Sequence, residues 1–306
     1  MDELGAGRVV YGCMRIGGAW SSEPPGEAER EIAFKALDAA REYGSRLFDH
    51  ADIYGRGRSE SLFGEWLRSR KVARQELILQ SKCGIRPGEG ELPDRYDFSR
   101  EHILTSVEEM LRRLGVDFLD VLLLHRPDPL GDPEEVAAAL AELRTRGWIR
   151  AFGVSNFSAA QVRLYQRALD EPIRVNQVEL SLGHAGLIES SVQVNRSAPS
   201  PDAGSDGLLD FCRERDIDIQ AWSPLSKGRA GSDRLEDTVR DIAVRHAVEP
   251  ETIRIAWLLR HPAKIHPVIG STRPERIRAA FAASRLELSR EDWYRLFNAA
   301  REGDLP

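Results

Sequence analysis

Cysteine is scarce in this chain: Cys13, Cys83 and Cys212 are the only three in 306 residues, odd in number and far apart. A disulfide framework is excluded by that count, which fits a reducing compartment. No Cys-x-x-Cys or His-Glu-x-x-His spacing occurs, so a metal site has no support. Positive charge is in deficit too. The 43 Lys and Arg face 49 Asp and Glu, a net charge of -6, which leaves no domain-sized basic face for nucleic acid. No apolar run approaches the roughly 18 residues that span a bilayer. The opening Met1-Asp2-Glu3-Leu4-Gly5 is acidic and has no basic region followed by an apolar one, so no signal peptide is expected. A cytoplasmic protein is expected, with no nucleic acid and no membrane among its partners. Also missing is a Gly-rich phosphate turn. The segment Gly12-Cys13-Met14-Arg15-Ile16-Gly17-Gly18 has neither the G-x-G-x-x-G order nor a P-loop lysine, which argues against an open doubly wound dinucleotide-binding sheet.

What the chain does have is alternation. Short aliphatic or β-branched runs stand at 8–12, 47–52, 77–83, 121–125, 149–155, 174–180, 217–222 and 266–270, mostly apolar throughout, as parallel strands covered on both faces are. Helical patterns lie between them. The stretch 27–43 carries Ile32, Ala36, Leu37 and Ala40 and stops at Gly44. Ser99 is the expected cap of a helix reaching Leu114 and Gly115, and Ser158 with Gln161 has capping-box spacing. Asp132-Pro133-Glu134-Glu135 opens a helix that ends near Gly147. Eight strands alternating with helices over this length predict an α/β fold, a (β/α)8 TIM barrel, as one domain across residues 1–306. Two long polar stretches, 86–100 and 183–207, are expected as loops at the barrel mouth, the second as a binding loop or lid.

Active sites of such barrels collect at the C-terminal ends of the strands. Asp49 and Lys82 lie near the ends of the second and third strands, His125 closes the fourth, and Tyr54 lies just past the second. Alternation puts Asp49, Lys82 and His125 on the faces of Leu47, Gln80 and Leu123; if those faces point inward, the four side chains can converge. Their chemistry is that of a carbonyl-reducing site. A free tyrosine has a pKa of about 10, too high for efficient acid–base work near neutrality. A nearby Lys82 ammonium is expected to lower it, with Asp49 holding the lysine and His125 donating to a carbonyl oxygen or orienting Tyr54. The alternative is a structural ion pair beside a satisfied core histidine.

The chain resembles the aldo-keto reductase superfamily over essentially its whole length. The resemblance is carried by Phe48-Asp49-His50-Ala51-Asp52-Ile53-Tyr54-Gly55, Ser81-Lys82-Cys83-Gly84 and Leu124-His125-Arg126-Pro127-Asp128. It continues in Gly153-Val154-Ser155-Asn156-Phe157, Asn176-Gln177-Val178-Glu179, Ala221-Trp222-Ser223-Pro224-Leu225 and Pro267-Val268-Ile269-Gly270-Ser271-Thr272-Arg273. By similarity, Asp49, Tyr54, Lys82 and His125 match the catalytic tetrad, with Tyr54 as general acid in the reducing direction.

The resemblance also implies a nicotinamide cofactor held without a Rossmann fold. Ser155, Asn156 and Gln177 match residues that hold the carboxamide, although a strand-ending turn is the other account of Ser155-Asn156. Trp222 matches a ring that stacks on the nicotinamide, with a core aromatic as the alternative. Ser223, Leu225 and Ser226-Lys227-Gly228-Arg229 resemble the loop around the pyrophosphate, unless Lys227 and Arg229 are simply solvated charges. Gly270, Ser271, Thr272 and Arg273 stand at the start of the last main helix, with Pro274 in its first turn. Exposed N–H groups, the helix dipole and a guanidinium there suit a ribose 2′-phosphate, so NADPH is expected over NADH. Where the family often has a Glu-Asn pair near the adenine, this chain has Ala279-Ala280. Met14-Arg15 is a further expected cofactor contact.

Met14, Trp20, Arg126 and the 183–207 loop are the expected substrate contacts, and a small-molecule carbonyl is the expected substrate of a monomer or weak homo-oligomer. Two other readings stand beside the reductase: a nicotinamide-binding, redox-sensing regulatory subunit, and a barrel isomerase or lyase using Lys82 as a Schiff base.

Overall fold

The computed structural model describes residues 5, 7–21, 23–192, 207–228 and 231–301. Its strands are β1 (Val10–Gly12), β2 (Leu47–Asp49), β3 (Ile78–Cys83), β4 (Ile85–Arg86), β5 (Arg95–Tyr96), β6 (Leu119–Leu124), β7 (Ile149–Ser155), β8 (Val175–Glu179), β9 (Asp218–Trp222) and β10 (His266–Ile269). All but β4 and β5 run parallel and close into a barrel in the order β1-β10-β9-β8-β7-β6-β3-β2. The expected (β/α)8 barrel is therefore present, with each barrel strand near its expected place. Most strands are a residue or more shorter than their apolar runs. The second stops at Asp49 rather than residue 52, and His125 lies one residue past β6.

Helices α1 (Glu27–Glu42), α2 (Arg58–Arg70), α3 (Arg100–Leu114), α4 (Pro133–Thr145), α5 (Ala159–Gln166) and α6 (Gly186–Glu189) follow the first strands. Then come α7 (Leu208–Glu214), α8 (Asp233–His246), α9 (Pro250–Leu259), α10 (Pro274–Ala282) and α11 (Arg290–Ala300). The expected starts and stops are physical ones. Ser99 Oγ accepts from His102 N and Gly115 closes α3 in the left-handed region. Ser158 and Gln161 form a reciprocal capping box, and Asp132 accepts from Glu134 N with Pro133 at the first helical position. In α1 the buried stripe is Ala33, Ala36, Leu37 and Ala40, whereas Ile32 is 52% exposed. Ile32 belongs to the outer face because a 3.6-residue repeat through 33, 36, 37 and 40 turns it away from the sheet.

Two other expectations need correction. The 86–100 stretch is no plain loop: Ile85–Arg86 and Arg95–Tyr96 pair as an antiparallel hairpin. The 183–207 stretch begins with α6 and a helical turn at Ser190–Val192, and its residues 193–206 lie outside the described residues.

The barrel interior is layered. Val10, Leu47, Ile78, Val121, Leu123, Val175 and Val268 form a small apolar cluster separate from the larger one between sheet and helices. Full burial of each such side chain is worth about 1.5–3 kcal/mol. One pleat further along the strands the same inward faces carry Asp49, Gln80, Gln177 and Gln220, and beyond them Lys82. The polar end of the barrel is thus built from alternation itself.

Candidate active site

Asp49 is the last residue of β2, registered against Gly12 on one side and Gln80 on the other. Past it the chain bends into a short turn, Tyr54–Gly57, in which Gly55 and Arg56 are both left-handed. Lys82 stands near the end of β3, opposite Leu123, and His125 immediately follows β6. These four side chains meet. Lys82 Nζ donates to Asp49 Oδ2 at 2.7 Å, to the His50 carbonyl at 2.8 Å and to the Tyr54 hydroxyl oxygen at 3.0 Å. The Tyr54 and His125 rings meet edge to face with centroids 6.0 Å apart. Because Lys82 donates to the phenol oxygen, the Tyr54 proton is not used in that contact, and it has no acceptor among the described residues.

Electrostatics modify one expectation. Burial pushes the Tyr54 phenol above its ordinary 10.0; Lys82 pulls it down, Asp49 pushes it up, and the net direction is upward. Tyr54 is a protonated phenol, not a phenolate: the cost of burying a charge exceeds the help of one ammonium that is itself shared with Asp49. Burial also opposes the charge on Lys82, but Asp49 and Tyr54 outweigh it and hold the ammonium above the ordinary lysine range. Burial, then the charges of Lys82 and Arg126, keep His125 well below 6.5, so its imidazole is neutral. His125 Nδ1 is buried with no partner among the described residues.

Sequence reasoning passed over two members of the layer beneath, Gln80 and Gln220. Gln80 Nε2 donates to Asp49 Oδ1 at 2.6 Å and to Gln220 Oε1 at 2.8 Å. Gln177 Nε2 reaches the same two oxygens at 3.1 and 2.8 Å, and Gln220 Nε2 returns a 2.9 Å bond to Gln80 Oε1. The signal in the sequence was slight: a glutamine two positions before Lys82 and another two before Trp222, each on the same strand face as the site residue that follows it. Asp52 was quoted only as part of a motif. Burial, with Glu60 nearby, raises its carboxyl to about 8 against a partial offset from Arg113, and its Oδ1 has no partner among the described residues.

The expected cofactor residues come together on the other half of the barrel. Ser155 is registered against Gln177, and Asn156, left-handed at φ 62, follows at the strand end. Ser155 Oγ donates to the Gln177 carbonyl at 2.9 Å. Asn156 Nδ2 donates to Ser155 Oγ at 2.9 Å and to the His125 carbonyl at 3.2 Å, while its Oδ1 accepts the Trp222 indole N–H at 3.0 Å. Trp222 is half-buried at the end of β9, not a core ring, with Lys227 Nζ 4.8 Å and the Arg126 guanidinium 5.8 Å from its ring centroid. Lys227 is paired with Glu179 at 2.9 Å. Ser223, Ser226, Lys227 and Gly228 are all left-handed, and runs of that kind turn backbone N–H groups toward an anion. Leu225 is half-buried in the same loop, and Arg229 lies outside the described residues.

Gly270 through Arg273 precede α10, with Arg273 as its N-cap and Pro274 as its first residue. This is not the last helix, since α11 follows. Ser271 Oγ accepts from Arg273 N at 3.2 Å and the Ser271 carbonyl accepts from Tyr11 at 3.0 Å, which fixes the loop while Thr272 stays half-buried and Arg273 exposed. The donor set fits a nicotinamide dinucleotide: amide and hydroxyl groups at Ser155, Asn156 and Gln177, an indole face, a left-handed loop, and a helix N-terminus with a guanidinium. Of the expected substrate residues, Arg126 reaches the site through Trp222, whereas Met14 (44% exposed) and Trp20 (57%) lie on the β1–α1 loop without a hydrogen bond or ring contact to the four central side chains.

Comparison with known proteins points one way. An uncharacterized oxidoreductase, YcsN of Bacillus subtilis, is 37% identical over 319 residues, covering 100% of this chain and 98% of its own. A 6-dehydroglucose reductase of Agrobacterium fabrum is 35% identical over 306 residues, with 98% and 96% covered. The crystal structure of a thermostable aldo-keto reductase, Tm1743, in complex with the inhibitor epalrestat superposes with a TM-score of 0.78 at 28% identity, covering 96% of this chain and 95% of that one. The model of the Aldo/keto reductase family matches residues 8–300, and the chain belongs to that family of NAD(P)H-dependent oxidoreductases.

Proposed function

We propose that the protein reduces an aldehyde or ketone to an alcohol at the expense of NADPH, with Tyr54 as general acid. The observation that carries this reading is the bond from Lys82 to the Tyr54 oxygen, which leaves the phenolic proton free to be given away. A relative that is a 6-dehydroglucose reductase supports the direction. Ser155, Asn156, Gln177 and Trp222 would hold a reduced nicotinamide, which when bound would supply a hydride for the carbonyl carbon. Tyr54 gives its proton to the carbonyl oxygen as charge develops there. The Lys82 ammonium stabilises the phenolate left behind, and Asp49 keeps the lysine in place. Neutral His125, its Nδ1 buried without a partner among the described residues, offers Nε2–H to the same oxygen.

A carboxamide oxygen entering this site competes for Asn156 Nδ2 with the His125 carbonyl, whose 3.2 Å bond is the weaker of the two that Asn156 makes. Ser223, Leu225, Lys227 and Gly228 wrap the pyrophosphate, and Gly270, Ser271, Thr272 and Arg273 take the 2′-phosphate. Arg126 meets the outer part of the substrate, with Met14 and Trp20 further out. Lys82 does not suit a Schiff base, because a nucleophilic amine must be unprotonated and this one is held charged by two partners.

The test is a fluorescence titration with NADPH and NADH, followed by a panel of aldehydes and ketones monitored at the reduced nicotinamide band. NADPH binding with turnover of at least one carbonyl is expected. Binding without turnover of any would turn the assignment to a regulatory subunit, and no binding of either cofactor would remove it.

A further inference from the structure

We propose that Gln80 and Gln220 are positioning residues, coupling the proton-donating half of the barrel to its nicotinamide half through a closed ring of side-chain hydrogen bonds. The inference rests on the cofactor and acid assignments made above and adds two residues that touch neither reactant. The geometry is a square. The amide nitrogens of Gln80 and Gln177 each bridge the same two oxygens, Asp49 Oδ1 and Gln220 Oε1, at 2.6 and 2.8 Å for Gln80 and at 3.1 and 2.8 Å for Gln177. All four N–H bonds of those two groups are thereby used. The fifth bond, Gln220 Nε2 to Gln80 Oε1 at 2.9 Å, crosses the barrel; Asp49 Oδ1, an acceptor only, requires nitrogen from Gln80 and Gln177, and the reciprocal pair with Gln80 then orients Gln220. Gln80 and Gln220 are 0% exposed, and Gln177 and Asp49 are 2% exposed, so water does not substitute for a missing member.

Two consequences follow from the amide chemistry. Gln177 is held against flipping: its nitrogen is committed to Asp49 and Gln220, and Oε1 is the atom left to accept an N–H from a carboxamide. Asp49 is held as well, since Oδ1 takes two amide donors and Oδ2 is thereby set toward Lys82 at 2.7 Å. Apolar side chains at 80 and 220 would fill the same volume. They would leave Gln177 with one acceptor instead of two and so less tightly oriented, and Asp49 with one fewer donor. Gln220 acts on the cofactor side, Gln80 on the acid side, and each acts through the other.

The experiment uses Gln80→Met, Gln220→Met and the double variant, which keep volume and remove the amides. NADPH affinity by fluorescence and the pH profile of kcat are read alongside thermal unfolding. Gln220→Met is expected to weaken NADPH about tenfold, the size of one buried hydrogen bond, and Gln80→Met to move the alkaline limb of kcat. The double variant is expected to match the larger single effect rather than the product of the two. A second measurement needs no variant of uncertain folding: the assigned side-chain amide resonances of Gln220 in the wild-type protein should shift on adding NADP+, although Gln220 does not touch it. Folded variants that lose only melting temperature, with NADPH affinity and pH limb unmoved, or Gln220 resonances indifferent to NADP+, overturn the proposal. A wild-type protein that binds no NADP(H) overturns the cofactor site itself; wild type and variants that bind equally overturn only the ring.

Discussion

The Lys82 ammonium donates to the Tyr54 hydroxyl oxygen across 3.0 Å, from a lysine side chain with no solvent exposure. A donor on the oxygen side fixes the direction of the phenol, so its proton faces away from the lysine and has one destination, a group bound at the barrel mouth.

Replacing Tyr54 by Phe removes that proton and leaves the ring. Turnover is expected to fall by roughly 10²–10⁴, the ordinary worth of a general acid, with NADPH affinity within about twofold of wild type. Steady-state rates and a fluorescence titration on the same preparation check both parts. Turnover that survives would place the acid elsewhere.

Removing Lys82 alone leaves Asp49 buried without its cation. Lys82→Met is expected to cost about 3–5 kcal/mol in urea unfolding, the penalty of breaking a buried pair. Adding Asp49→Asn should recover most of that stability while activity stays lost. Recovery of neither, or of both, contradicts the assigned roles.

Arg273 stands exposed at the N-cap of α10 with no ion-pair partner among the described residues. Arg273→Met is expected to weaken NADPH about tenfold and NADH by less than twofold, since a charge-assisted contact to the 2′-phosphate is all that distinguishes them. Equal losses for the two cofactors would place the 2′-phosphate elsewhere.

Stability should peak near pH 6.5. Burial is the main cause holding His50 at about 3, His261 at about 4 and His125 well below 6.5 in the fold. Below about 6.5 the unfolded chain takes up protons that the folded chain refuses, so stability is lost as pH falls. Asp52 works in the opposite sense. Its folded carboxyl keeps a proton to about 8 against an ordinary 3.8, so its contribution is full below 3.8 and is lost as pH rises through about 8. These histidines, with His102 lowered in the same direction, outweigh one carboxyl on the acid side. Between 6.5 and 8 the decline belongs to Asp52, the buried thiols of Cys13, Cys83 and Cys212 acting only at higher pH. Urea unfolding at pH 5, 6.5 and 8 reads the shape, and Asp52→Asn should flatten the decline on the alkaline side.

The barrel was legible because parallel strands covered on both faces are written as apolar runs, and eight of them at this length close only one way. The pair β4 and β5 was not legible, since strands of two residues carry no periodicity. Ile32 misled because an apolar residue beside a helical stripe looks like part of it until the stripe's phase is set by packing. At the site, charge chemistry located Asp49, Tyr54, Lys82 and His125, but charge alone mistook the net direction on Tyr54: burial is a property of the fold, invisible in spacing. Gln80 and Gln220 were passed over for the same reason. A neutral amide in a strand has meaning only once the opposite strand, 140 residues away, presents its partner.

The loop after β9 has one more consequence. With Ser223, Ser226, Lys227 and Gly228 already left-handed, the ordering entropy of this segment is spent during folding, before any anion arrives. On the proposed assignment of this loop to the pyrophosphate, capture of a dinucleotide is then a docking event rather than a local folding event. Its observed rate should climb in proportion to cofactor concentration without levelling off, as encounter with a pre-shaped surface does.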